Sequence, residues 1–151
     1  DEPLDWNDLA GDLNVEGQET PLELDAPVVT PVDAAVLADR VTAAIRRMGV
    51  DPNALLPRAR IEEAARALSA QEPDRARQIV RRVAPAAVRS VSRRILADAE
   101  LRADADAYVR AFGREMQDHA RQGDAHDVQA RLATDEGRAF MLLDAAIGDL
   151  G

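Results

Sequence analysis

Asp74-Arg-Ala-Arg-Gln-Ile-Val-Arg-Arg-Val-Ala-Pro85-Ala-Ala-Val-Arg-Ser-Val-Ser-Arg-Arg-Ile-Leu-Ala97 is the stretch on which the fold turns. Ile79, Val80 and Val83, then Val88, Val91 and Ile95, recur at steps of three and four residues, the period of an amphipathic helix. Seven arginines, at 75, 77, 81, 82, 89, 93 and 94, stand between Arg75 and Ala97 with no acid among them, so the spacing predicts helices with a basic outer face. Pro85 has no backbone N–H to donate, which predicts a kink or a restart there.

The same period governs what precedes and follows. Thr30-Pro31-Val32-Asp33 has the form of a helix start: a hydroxyl cap, a proline in the first turn and an acid three residues after the threonine. Leu37, Val41, Ala44, Ile45 and Met48 form the apolar stripe of a first helix, and Gly49 suits its left-handed close. Asp51-Pro52 starts a short turn, Pro57 opens a helix with Ile61, Ala64, Ala65 and Leu68 inward, and residues 69–72 are a break before Pro73. From Ala86 to Gln122 the only interruption within the pattern is Gly113. An unbroken helix over that span would be about 55 Å long. Its apolar face moves, however: Val88, Val91, Ile95 and Ala99 lie roughly 120° from Leu101, Ala105, Tyr108, Phe112 and Met116 at 100° per residue. This shift predicts either a break near residues 98–104 or a change of packing neighbours. Gly123-Asp124 closes the segment and caps the next, and Thr134-Asp135-Glu136 is a further start. The last helix, with Phe140, Leu143 and Ile147 beside Ala139, Leu142, Ala146 and Leu150, is apolar over nearly half its circumference and belongs deep in the core or in an interface. Period-two alternation of β-branched and aromatic residues is missing, so the expected fold is all-α: a compact bundle of five to seven helices over residues 30–151.

Charge separates this body from what precedes it. Residues 1–33 hold ten acids and no base, whereas the rest hold eighteen acids against nineteen arginines, so the formal charge of −9 belongs to the N-terminal stretch. Residues 1–29 read as an acidic flexible tail. Within it Trp6, Leu9 and Leu13 fall on one face of a short helix that Asp5 could cap, the pattern of a docking segment. All nineteen bases are arginine, most simply the codon bias of a GC-rich bacterial genome.

Catalytic and metal chemistry find little support. There is no cysteine, which removes thiolate catalysis and cysteine-ligated zinc. Asp98, Glu100, Asp104 and Asp106 lack the glycine of a calcium loop and read as a solvated helix face. His119 and His126, with Asp118, Asp124 and Asp127 nearby, match no standard metal spacing and read as surface or capping residues. Glu115 and His119 stand four residues apart rather than at the three of a di-iron bundle. No glycine-rich phosphate loop, serine elbow or paired nucleophile and base occurs, so the expectation is a non-enzyme without metal or cofactor. No apolar run approaches the roughly 18 residues of a membrane span, and the cytoplasm is the expected location.

The expected function is therefore a protein–protein interaction module of a bacterial scaffold or regulatory protein. Its working parts are Trp6, Leu9 and Leu13 in the tail and Arg75, Arg81, Arg82, Arg89, Arg93 and Arg94 on the body. The partner is another protein or a second copy. One alternative is a nucleic-acid-associated protein whose arginine face is gated by the acidic tail. A weaker one is a structural subunit with the Phe140–Leu150 helix in an oligomer interface.

Overall fold

Proline and side-chain caps start most of the helices in the computed structural model, which describes residues 31–150. The described residues form eight helices and no strand. These are α1 Pro31–Arg47, α2 Pro52–Leu55, α3 Arg58–Ser69, α4 Pro73–Val83, α5 Pro85–Ala97, α6 Ala99–Arg121, α7 Ala125–Leu132 and α8 Asp135–Leu150. The all-α bundle is as the periodicity requires, with more pieces than expected because the turn at Pro52 and the chain at Asp98 both count as helix boundaries.

Proline occupies the first turn of α2, α4 and α5, where a missing N–H costs nothing. Asp51 accepts from the Asn53 amide at 3.1 Å, Asp98 from the Leu101 amide at 3.0 Å, and Thr134 Oγ1 from the Gly137 amide at 2.9 Å. The Asp98 cap settles the alternative at residues 98–104: the chain there is extended, at φ −130° and ψ 102°, and α6 starts in a new direction. The shift of apolar face follows from that break, and both stripes are buried, Val88–Val91–Ile95 in α5 and Leu101–Ala105–Tyr108–Phe112–Met116 in α6. Gly113 does not interrupt α6.

Three helices close through a left-handed residue: Gly49 after α1 (φ 80°), Gly123 after α6 (φ 77°) and Gln71 after α3 (φ 60°). At Gln71 the Glu72 amide returns to Ala67 O at 2.8 Å and the Gln71 amide to Leu68 O at 2.9 Å, the bond pair that a glycine normally permits. Residues 69–72, legible only as a break, thus hold a specific turn made by the less suitable residue.

The core is organised on α8. Gly137 and every residue from Ala139 to Ala146 are buried, and α2, α4, α5, α6 and α7 all pack on it. A helix apolar around most of its circumference has to be enclosed in this way. Tyr108 and Phe112 of α6 form an aromatic run with Phe140 of α8, Phe112 and Phe140 being stacked at 4.7 Å. Within the chain the Ala139 to Ala146 segment of α8 is buried, whereas Leu150, at its end, is exposed.

Candidate functional site

α4 and α5 turn their apolar rows, Ala76–Ile79–Val80 and Val88–Val91–Ile95, onto the body. Ala84 between them is non-helical, so the arginine run is carried by two helices with different axes. That separates residues adjacent in sequence. Arg75 and Arg82 lie in a groove against α3, which also holds Glu63, Arg66 and Glu72. Arg75 is paired with Glu72 at 3.1 Å. Arg94 faces a second groove on the α1 side, with Arg40, Arg47, Asp98 and Asp104, and stands 4.0 Å from Asp98. Arg89, Arg93 and Leu96 fall at i, i+4 and i+7 on one outer line of α5. Leu96 is 57 % exposed and Val83, at the end of α4, 36 %. Arg82, Arg89 and Arg93 are exposed and have no ion pair or hydrogen bond among the described residues.

Two arginines of the run do not belong to an outer face. Arg77 donates from Nε to Asp144 Oδ2 at 3.0 Å and also pairs with Asp74. Arg81 reaches the carbonyl of Ala145 at 3.5 Å, and its Nε is buried without a partner. Both lie over Gly148, where a Cβ would come within 2.8 Å of Arg81 Nη2 and 3.0 Å of Arg77 Cδ. The basic face is thus narrower than the seven-arginine count implies. The signal for the missing partner was in the sequence: Asp144 interrupts the apolar run Phe140-Met-Leu-Leu-Asp-Ala-Ala-Ile147, and an acid there needs a buried counter-charge. Burial pushes the Asp144 carboxyl above the ordinary carboxylate range, against the opposing attraction of Arg77. Ser92 Oγ completes this corner by donating to Ala146 O at 3.2 Å.

Beside Asp144 a cleft of about 550 Å³ opens between the α3–α4 turn, α6 and α8. Its walls are Leu68, Val109, Met116 and Phe140, and Arg77, Arg110 and Arg114 stand around it. Arg110 is paired with Asp106 at 3.0 Å, whereas Arg114 is exposed and unpaired among the described residues. Apolar walls with cationic groups suit a bulky apolar side chain carried by an acidic segment.

The remaining candidates are placed as follows. The acids expected to be merely solvated have definite roles: Asp98 caps α6, and Arg40 holds Asp104 at 2.9 Å and Glu100 at 3.4 Å. His126 is exposed on α7 and is not part of the cluster in which His119 meets Asp124 and Asp127. Tyr108 donates its hydroxyl to Glu136 O at 2.7 Å, and burial, more than the nearby Glu136 charge, raises its pKa. Trp6, Leu9 and Leu13 lie outside the described residues. No described helix is long and apolar enough to cross a membrane. No protein-family model, curated protein or solved structure matches the chain.

Proposed function

We propose that the protein is a non-enzymatic interaction module whose α4–α5 face receives an acidic segment bearing bulky apolar side chains. The observation that carries this reading is the trio Arg82, Arg89 and Arg93: exposed, unpaired among the described residues, and flanked by exposed Val83 and Leu96. A chain with 28 acids and 19 bases has carboxylates to spare, yet none of the described ones is spent on these three. Residues 1–29 have the complementary chemistry and are the segment we assign to it, in the same chain, in a second copy, or competing with an acidic partner of a scaffold or regulatory complex. Exposed ion pairs contribute only about 0–1 kcal/mol each. Apolar burial of Trp6, Leu9 or Leu13, about 1.5–3 kcal/mol apiece before ordering costs, therefore has to supply most of the affinity.

The test is the emission of Trp6, the chain's single tryptophan. The full chain should show a blue-shifted maximum that moves to longer wavelength in the Arg82→Gln, Arg89→Gln, Arg93→Gln variant and only partly so in high salt. Dependence on protein concentration separates docking on a second copy from docking within one chain. Fully solvated indole emission in both proteins at every concentration would refute the reading. Tight binding of unrelated duplexes, falling steeply with salt and lost in the triple variant, would instead assign the same face to nucleic acid.

A further inference from the structure

The C-terminus of α6 is built so that three metal-binding side chains converge. Gly123, at φ 77°, turns the chain back, with the Gly123 amide bonded to Ala120 O at 3.1 Å and the Asp124 amide to His119 O at 2.9 Å. This pair of bonds ties Asp124 beside His119. Asp124 precedes α7 at the capping position, yet its carboxylate makes no capping bond to that helix. It points at the imidazole instead, with Oδ2 3.9 Å from His119 Nδ1. One turn into α7, Asp127 brings a second carboxylate. One ligand atom from each of His119, Asp124 and Asp127 lies within 4.8 Å of the others.

A second, independent observation concerns the ring itself. His119 Nδ1 is closed to solvent and has no hydrogen-bond partner. A buried ring nitrogen left unpaired is costly, and 3.9 Å is too long for a hydrogen bond yet the right order for two ligands of one ion. Ligands 2.0–2.2 Å from a tetrahedral ion stand about 3.4 Å apart, so the His119–Asp124 pair has to close by about 0.5 Å, and no pair in the cluster by more than about 1.4 Å. The far side of the ring is also furnished. Nε2 faces Glu115 Oε2 at 3.7 Å, and Arg131 holds Glu115 in a fork, at 2.7 Å from Nε and 3.3 Å from Nη2. Arg131 in turn lies over the Phe112 ring at 4.6 Å. At 3.7 Å this carboxylate is not hydrogen-bonded to the ring, but it stands where a short approach would place it on Nε2–H and leave the Nδ1 lone pair for the ion. Asp124 and Asp127 have no arginine partner among the described residues, so their charge is available.

We propose that His119, Asp124 and Asp127 form a divalent transition-metal site of the zinc type, closed by water. One imidazole with two carboxylates favours such an ion over calcium or magnesium, which take all-oxygen sets. Glu115 is its positioning residue. The nearby His126 supplies the control, because it is exposed and stands outside the cluster.

The experiment titrates Zn2+ into the full chain by calorimetry, with Co2+ as a spectroscopic substitute. The expected result is one equivalent bound and a visible Co2+ d–d band. His119→Ala and Asp127→Asn should each weaken Zn2+ by at least about tenfold and remove the band, and Glu115→Gln should weaken it by about 10- to 100-fold. His126→Ala should leave both unchanged. Asp127 is exposed, so its variant keeps the test valid if His119→Ala loses helicity. The proposal is overturned by the lack of a stoichiometric equivalent, by displacement with millimolar Mg2+ or Ca2+, by equal loss in His126→Ala, or by Zn2+ binding that survives Asp127→Asn, as it would if the tail carboxylates held the ion.

Discussion

Gly137→Ala probes the centre of the fold. Gly137 lies in the first turn of α8, where α7 crosses it. A Cβ built there would collide with the Arg131 carbonyl and stand 2.5 Å from Leu132 Cα and 2.6 Å from Leu132 O. These are backbone atoms and cannot rotate away. Ordinary contact begins at 3.4 Å, so α7 has to retreat by roughly 1 Å. The retreat pulls on Val128 and Leu132, which are fully buried, and strains the Arg131–Glu115 fork and the Thr134 cap on the Gly137 amide. Overpacking of this kind costs about 1–3 kcal/mol or more. The higher helix propensity of alanine offsets at most about 1 kcal/mol. The net expectation is destabilisation by about 2 kcal/mol, or a fall in Tm of about 8 °C at about 4 °C per kcal/mol for a body of this size. Gly113→Ala is the matched comparison. It sits within α6, and its Cβ would meet only the Phe140 ring at 3.8 Å and 4.0 Å, ordinary contact distances. That substitution should raise stability by about 0.5–1 kcal/mol. Thermal melts followed by circular dichroism at 222 nm measure both. A Gly137→Ala protein at or above the wild-type Tm, or two variants moving in the same direction, would refute the placement of α7 against α8.

Two further expectations concern single residues. Gln71→Gly should stabilise the body by about 1 kcal/mol, because the left-handed φ of 60° is strained for glutamine and open to glycine; a chemical melt with an unchanged or lower midpoint would show that the α3 closure is drawn wrongly. Asp144→Asn tests burial against ion pairing through pH. The folded carboxyl binds its proton to higher pH than the unfolded chain, so its contribution is fully present below the ordinary carboxylate range and is lost as pH rises through that range to the raised folded value. The asparagine variant should therefore match wild type in acid and equal or exceed it at pH 7 in urea melts. A loss of about 3–5 kcal/mol at pH 7 would instead mean that the Arg77 pair outweighs burial.

The helices of this protein are local facts and were readable as such. Apolar steps of three and four residues, prolines at 52, 73 and 85, and glycines at 49 and 123 act within one or two turns of where they stand, so they mark helix ends without reference to the rest of the chain. The face shift between Ile95 and Leu101 likewise announced a break, and the extended Asp98 provides it. What a side chain meets was not readable in the same way. Arg77 and Arg82 have the same outward reading in sequence, but α8 arrives beside one and not the other, and the difference is an aspartate 67 residues away. His119 and Asp124 are brought together by a left-handed turn, while the equally near His126 is exposed and outside the cluster. Gly113 and Gly137 are equivalent by propensity and opposite in environment. Helix formation is set by neighbours three and four residues away, whereas burial and pairing depend on which helices cross and at what height, a property of the whole packed body that no local window contains.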